Sequence, residues 1–278
     1  MNIEQCKLDQ SKSIIKTAIK TFDPYAIIMA ISGGDDSLAA YYALRESGIK
    51  PDFILHVNTR TGIAETSQFV RDFADKQVVK LLYQDAGNTY ENYVRRKGFP
   101  GKGISAHSIM YHLLKKEYIT RAIASVRQRK RNRRILIVNG VRIAESRNRA
   151  RNFKDDVYKL EGSNVWVNII HYWEKDHCIE MIADKGCRNP VAIELCRSAE
   201  CMCGTMQNQQ SRSEAAALFP EWGKWLDNLE VEVMKSFPWR WGENMPKSFQ
   251  LEQKGQLRLF SRDDFQPLCS SCIALPPL

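Results

Sequence analysis

Six consecutive residues, Ser32-Gly33-Gly34-Asp35-Asp36-Ser37, concentrate the chemistry of this chain. An apolar run, Ala26 to Ile31, precedes them, and Leu38 to Leu44 follows with helical character. The order is strand, glycine turn, helix. Two glycines let the backbone approach an anion with no Cβ in the way. The N–H groups that open a helix point at such an anion, and the helix dipole favours it. Ser32 and Ser37 add hydroxyl donors. The turn is therefore suited to phosphate. It is not the GxxxxGK[ST] loop of P-loop NTPases, because no lysine sits in it.

Two further groups of residues carry chemistry. In GVRIAESRNRA, Gly140 admits close approach, Arg142 and Arg149 offer guanidinium forks that match phosphate oxygens, and Glu145 can orient an arginine. The second group is cysteine. Cys201-Met202-Cys203 and Cys269-Ser270-Ser271-Cys272 are separated by residues 204 to 268. Each pair can place two thiolates on one metal, and together they make a four-thiolate site that fits either a [4Fe–4S] cluster or structural zinc. Cys196 is a possible substitute ligand. Cys178 and Cys187 have the setting of buried thiols, and Cys6 stands alone.

These residues resemble a known family. SGGDDS is similar to the SGGxDS pyrophosphate loop (PP-loop) of the ATP pyrophosphatases, which split ATP between its α- and β-phosphates. Many members carry lysine where this chain has Asp35. HVNTRTGIAET resembles the VNTGxxxxET segment, and GVRIAESRNRA the GxRxxES..R segment, of the phosphoadenosine-phosphosulfate (PAPS) reductase superfamily. The resemblance implies an adenine nucleotide α-hydrolase-like fold. It implies ATP held by Ser32, Gly33, Gly34, Asp35, Asp36, Ser37, Asn58, Thr59, Gly140, Arg142, Glu145 and Ser146. It also implies Mg²⁺ near Asp36, and catalytic roles for Asp36, Arg142 and Arg149. It favours [4Fe–4S] over Zn²⁺ on Cys201, Cys203, Cys269 and Cys272, as in adenylyl-sulfate reductases and the DndC/SspD-type pyrophosphatases of DNA phosphorothioation. Sulfonucleotide reductases end in an ECGxH-like tail. This chain ends CIALPPL, with no cysteine after Cys272. The expected activity is therefore ATP α,β-cleavage that activates an acceptor for sulfur transfer, with DNA as the acceptor. A cysteine desulfurase as sulfur donor and other modification-complex subunits are the partners implied. The alternatives are a PAPS or adenylyl-sulfate reductase, a tRNA thiolase, and a non-catalytic nucleic-acid-binding subunit.

The elements that must position these residues follow from the pattern. Strands are expected at Ala26–Ile31, Asp52–Val57, Val78–Tyr83, Ile135–Asn139 and Val165–Ile170, alternating with helical stretches. That alternation gives an α/β fold with a doubly wound parallel sheet of about five strands. Ligands bind such sheets at the carboxyl ends of the strands, where SGGDDS lies. The domain is expected over residues 1–190, with a helical, cysteine-containing appendage over 191–278. Residues 90–103 are expected as a basic loop facing the sheet end, and residues 211–237 as one amphipathic helix. The run Arg127 to Arg134 is either a solvated face or a nucleic-acid patch.

The chain has 278 residues, a net charge of +9 and a hydrophobic fraction of 44%. The charge suits an anionic partner, whether nucleotide or nucleic acid. No apolar run approaches the roughly 18–20 residues of a membrane span. The polar start MNIEQCKLDQ lacks a signal-peptide apolar region, so a cytoplasmic setting is expected.

Overall fold

In the computed structural model, residues 3–127, 133–145 and 157–253 are described. Ser146, Arg149, Cys269, Cys272 and residues 128–132 of the basic run, all named above, lie outside the described residues.

Short apolar runs rich in isoleucine, leucine and valine make strands that are buried on both faces. β1 (Ala26–Ala30), β2 (Phe53–Asn58) and β4 (Ile135–Asn139) are of this origin, while β3 (Lys80–Asp85), KLLYQD, is a half-buried edge strand. β5 (Tyr158–Glu161) and β6 (Asn164–Asn168) complete the sheet. The order is β3-β2-β1-β4-β6-β5. All neighbours are parallel except β5, which pairs antiparallel with β6. β5 is the strand beyond the five expected. Its sequence, YKLE, is short and mostly exposed, so it carries no buried-strand signal.

Period-two alternation splits the strand residues between two cores. Met29, Ile54, Leu136, Val138, Val165 and Val167 face one side. There they pack under α1 (Ile3–Phe22), α2 (Asp35–Glu46) and α3 (Ala64–Lys76). Ile28, Leu55, Ile135 and Ile137 face the other side, with Ile123 and Val126 packed on them. α4 (Thr89–Lys97) and α5 (Ile104–Tyr111) follow β3. α5 runs through a π-helical turn, His112–Lys116, into α6 (Glu117–Arg127). The basic loop expected at residues 90–103 is thus helical over its first half. Tyr90 and Val94, one turn apart, are both buried, and Arg95 pairs with Glu91 on the outer face.

α7 (Lys175–Ala183) and α8 (Pro190–Leu195) lead to the cysteine segment. α9 (Gln209–Leu218), α10 (Pro220–Val233) and α11 (Lys247–Gln253) end the described chain. The single helix expected over 211–237 is broken at Phe219, because Pro220 has no N–H to continue the α9 ladder and instead opens α10. A third core joins Tyr90, Val94, Phe99, Met110 and Leu114 to Val191, Met202, Trp222, Leu226, Trp239 and Trp241. Residues beyond 190 thus pack on the domain through this core. No described helix is long and apolar enough to cross a membrane.

Candidate nucleotide and thiol site

β1 ends at Ala30, and the chain must turn sharply to start α2 at Asp35. Gly33 has φ +83°, and a Cβ there would lie 2.8 Å from the Thr66 side chain. Ser37 Oγ donates to the Gly34 carbonyl at 2.8 Å and lies 3.3 Å from Ser32 N and from Ser32 Oγ, so the two hydroxyls brace the turn itself. Asn189, fully buried, donates to the Gly33 carbonyl at 2.9 Å while its Oδ1 caps α8. No side chain caps the start of α2. Gly140, at the end of β4, lets that strand touch the turn: a Cβ would lie 2.4 Å from the Asp36 carbonyl oxygen.

The two carboxylates of the turn are both engaged. Asp35 is buried and takes a bidentate pair from Arg188, 2.9 Å on each oxygen. Lys175 Nζ lies 3.0 Å from Asp35 and 3.2 Å from Asp36. Arg142 Nη2 donates to Asp36 at 2.9 Å. Burial works to raise the Asp35 carboxyl, but the hydrogen bonds from Arg188 and Lys175 outweigh it and hold the group below its ordinary value. Arg142 is 5% exposed, and its buried Nε–H has no acceptor among the described residues.

A cavity of about 820 Å³ opens over these groups. Ser32, Gly34, Asp35, Asp36, Ser37, Gly140, Arg142, Glu145 and Lys175 line it. Tyr111, Lys115, Ile119, Lys159, Glu161, Trp166, Cys196, Ser198 and Glu200 line it as well. Of the nucleotide-contact expectations, Gly33, Asn58 and Thr59 are not among the lining residues. Asn58 donates to Tyr83 Oη and accepts from Arg60 N. Thr59, fully buried, donates to the Glu200 carbonyl at 2.7 Å. Lys175, Arg188 and Asn189 were missed by sequence reasoning. They belong to no motif in the sequence, and only the fold brings them to the turn.

Thr59 belongs to a larger contact. The segment 59–66 docks the cysteine segment along its length. Ile63 N donates to the Ala199 carbonyl at 2.9 Å, Thr66 Oγ1 to the Ser198 carbonyl at 2.7 Å, and Met202 N to Thr61 Oγ1 at 3.1 Å. Gly62 is required there, since a Cβ would lie 2.2 Å from the Ala199 carbonyl oxygen. Trp241 Nε1 donates to the Met202 carbonyl and Tyr90 Oη to the Cys203 carbonyl, at 3.0 and 2.9 Å.

So held, Cys201 and Cys203 are neighbours. The Cys201 thiol, pushed up, hydrogen-bonds the Cys203 sulfur, and that bond is the main cause that brings Cys203 down to about 6. Lys115, aimed from the π-helical turn, pairs with Glu200 at 2.7 Å beside them. Two adjacent buried sulfurs fit half of a thiolate metal site. Among the described residues no group of three or more candidate ligands forms. Cys196 is exposed on the cavity wall, and Cys178 is buried, its thiol pushed up to about 12 by that burial. In the basic run, Arg127 donates to Asn164 and the Arg134 guanidinium lies 5.5 Å from the Phe22 ring centre, so both described ends are packed on the domain.

A mostly parallel sheet with a glycine turn at the switch between β1 and β4 defines a doubly wound α/β protein. Residues 26–190 match the phosphoadenosine phosphosulfate reductase domain, and the chain belongs to that family. The adenine nucleotide α-hydrolase-like fold expected from the motifs is the fold observed. Similar solved structures include phosphoadenylyl-sulfate (PAPS) reductase from Candida auris in a phosphate complex. It is 16% identical, with 66% of this chain and 84% of that chain covered and a TM-score of 0.47. Candida glabrata FMN adenylyltransferase in complex with FAD and inorganic pyrophosphate is 14% identical, covering 64% and 56%, with a TM-score of 0.42. The U34-tRNA thiolase NcsA from Methanococcus maripaludis with its [4Fe–4S] cluster is 12% identical, covering 84% and 78%, with a TM-score of 0.44. A comparison with curated proteins finds no match.

Proposed function

We propose that the chain cleaves ATP between its α- and β-phosphates and adenylates an acceptor for sulfur transfer, with DNA phosphorothioation as the process served. The observation that carries this is one cavity lined both by the SGGDDS turn, Arg142 and Lys175 and by Lys115 and Glu200, the ion pair next to the cysteine pair. The phosphates lie on the uncapped N-terminus of α2. Arg142, locked by Asp36, meets the charge that develops on the α-phosphate. Asp36, on the cavity, offers one hard oxygen ligand, which fits Mg²⁺, an ion that takes most of its ligands from phosphates and water. Mg²⁺ would neutralise phosphate charge there. Tyr111, Trp166 and Lys159, which also line the cavity, suit an acceptor that carries a planar base and a phosphate. The sulfur comes from a cysteine desulfurase, and Cys201 and Cys203 supply two of four ligands to a [4Fe–4S] cluster.

Pyrophosphate release from ATP tests this directly. Purified protein with ATP, Mg²⁺ and single- or double-stranded DNA is expected to release pyrophosphate, and release of orthophosphate alone overturns the reaction. A second reading is reduction of a sulfonucleotide. Cys196 favours it, as an exposed thiol on the cavity wall. Sulfite formed from PAPS or adenylyl sulfate, with no pyrophosphate from ATP, would select it.

A further inference from the structure

Two carboxylates at the mouth of a phosphate turn pose an electrostatic problem. Asp35 and Asp36 place two negative charges where an anion must land. Arg142, Lys175 and Arg188 answer with three positive charges, all within 3.2 Å of a carboxylate oxygen. The three cations differ in what they are free to do. Arg142 lines the cavity but is buried and fixed by Asp36. Arg188 forms a two-pronged pair with Asp35 and is not among the lining residues. Lys175 alone of the three both lines the cavity and is substantially open, its side chain 45% exposed.

Its place in the chain supports a function toward ligand. Lys175 is the first residue of α7, where a positive charge opposes the helix dipole. The helix gains nothing from lysine there. The helix start is itself fixed by His177, whose Nδ1 accepts from Glu174 N at 3.1 Å, so the base of the lysine is steady while its ammonium can swing between Asp35, Asp36 and the cavity.

We propose that Lys175 is the phosphate-binding cation of this turn, delivered from α7 in place of a lysine within the turn, and that buried Asp35 stations it there. This deepens the reading of the cavity as a nucleotide site and rests on it. With the cavity empty, Lys175 neutralises Asp35 and Asp36. When polyphosphate binds, its ammonium moves onto a phosphate oxygen, and Arg188 keeps Asp35 paired.

Inorganic pyrophosphate is the probe that reads the turn without turnover, by isothermal titration against the full chain. Lys175→Met is expected to weaken it at least tenfold, and Lys175→Arg to keep most of the affinity. A merely structural role would lower the melting temperature of Lys175→Met and leave its pyrophosphate affinity unchanged, and that result overturns the proposal. If Lys175→Met fails to fold, a Lys175→Gln variant at the same exposed position takes its place under the same criterion. ATP as a second probe separates the two claims. Pyrophosphate binding that depends on Lys175, without ATP binding, sinks the nucleotide reading and leaves the role of Lys175 standing. ATP and pyrophosphate binding that are both indifferent to Lys175 sinks the role of Lys175 and leaves the nucleotide reading. No pyrophosphate binding by the unaltered protein overturns the role of Lys175, and no binding of ATP either overturns both.

Discussion

At the SGGDDS end, the decisive contacts are ion pairs that join buried Arg142 and Asp35 to the more open Asp36 and Lys175, Asp36 with Arg142 and Lys175 with both carboxylates. At the cysteine end they are neutral hydrogen bonds to backbone carbonyls, from Thr59, Thr66, Tyr90 and Trp241, set in an apolar core. The first kind of contact can be redistributed when a charged ligand arrives. The second cannot be broken without leaving buried polar groups unpaired, so it fixes a position. One end is built to respond and the other to hold. The two kinds of mutation should separate accordingly.

The largest effect is expected at the holding end. Trp241 is fully buried, and Trp241→Ala should lower unfolding stability in urea by about 3–5 kcal/mol. A loss under about 1 kcal/mol would mean that the third core does not hold the cysteine segment. At the responding end the effect should fall on rate. Arg142→Ala is expected to reduce pyrophosphate release roughly 10²–10³-fold while changing urea stability far less than Trp241→Ala does. The reverse ranking would erase the distinction between the ends.

Cys203→Ser, in protein purified without oxygen, should lose most of its iron, whereas Cys178→Ser should keep it. Equal iron in both variants would move the metal away from the held pair. Proton linkage gives a smaller, graded effect. His56 is 1% exposed, with Nδ1 on the Ile31 carbonyl and Nε2 on Ser67. Burial lowers its folded-state value below the ordinary 6.5. The unfolded chain then takes up the proton first as pH falls. Stability is complete above about 6.5 and declines below it, by at most about 1.4 kcal/mol per pH unit. Asp35 adds a second decline only below its ordinary 3.8, because its folded value is depressed. Urea midpoints that stay flat from pH 7 to 5 would contradict the His56 assignment.

The smallest effect tests a difference between motif and structure. Asn58→Ala should cost about 1 kcal/mol and leave the KM for ATP within about twofold, because Asn58 serves Tyr83 and Arg60 N and does not line the cavity. A tenfold rise in KM would restore it to the nucleotide site.

Legibility in the sequence followed the same division. The sheet was readable because Ile27, Ile28, Ile54, Leu55, Ile137 and Val138 sit in short runs that only buried parallel strands accommodate. The glycine turn between β1 and α2 was readable because Ser32 to Ser37 are contiguous. Thr59 was read as a ligand contact because a motif marks that a residue matters, not which neighbour it serves. Its hydroxyl serves Glu200, far along the chain. Lys175 and Arg188 carried no signal at all, since a single cation in a helix start or a loop has no local pattern. The substitution at Asp35 was their only trace: a carboxylate in a phosphate turn demands compensating cations from elsewhere. The third core was not legible as one unit because Tyr90 and Met110 lie far from Trp222 and Trp241 in sequence and share no local pattern with them.

That third core has a consequence for synthesis on the ribosome. Tyr90, Val94, Phe99, Met110 and Leu114 emerge early, together with the strands they follow, yet the tryptophans that cover them come at Trp222, Trp239 and Trp241. At roughly 5–20 residues per second the nascent chain carries this apolar surface uncovered for on the order of ten seconds. The sheet can assemble in that interval, since β1 to β6 are complete by Asn168. The surface left waiting is a natural target for a holding chaperone. A chain stalled or truncated before Trp239 would be a substrate for degradation even with its phosphate turn already formed.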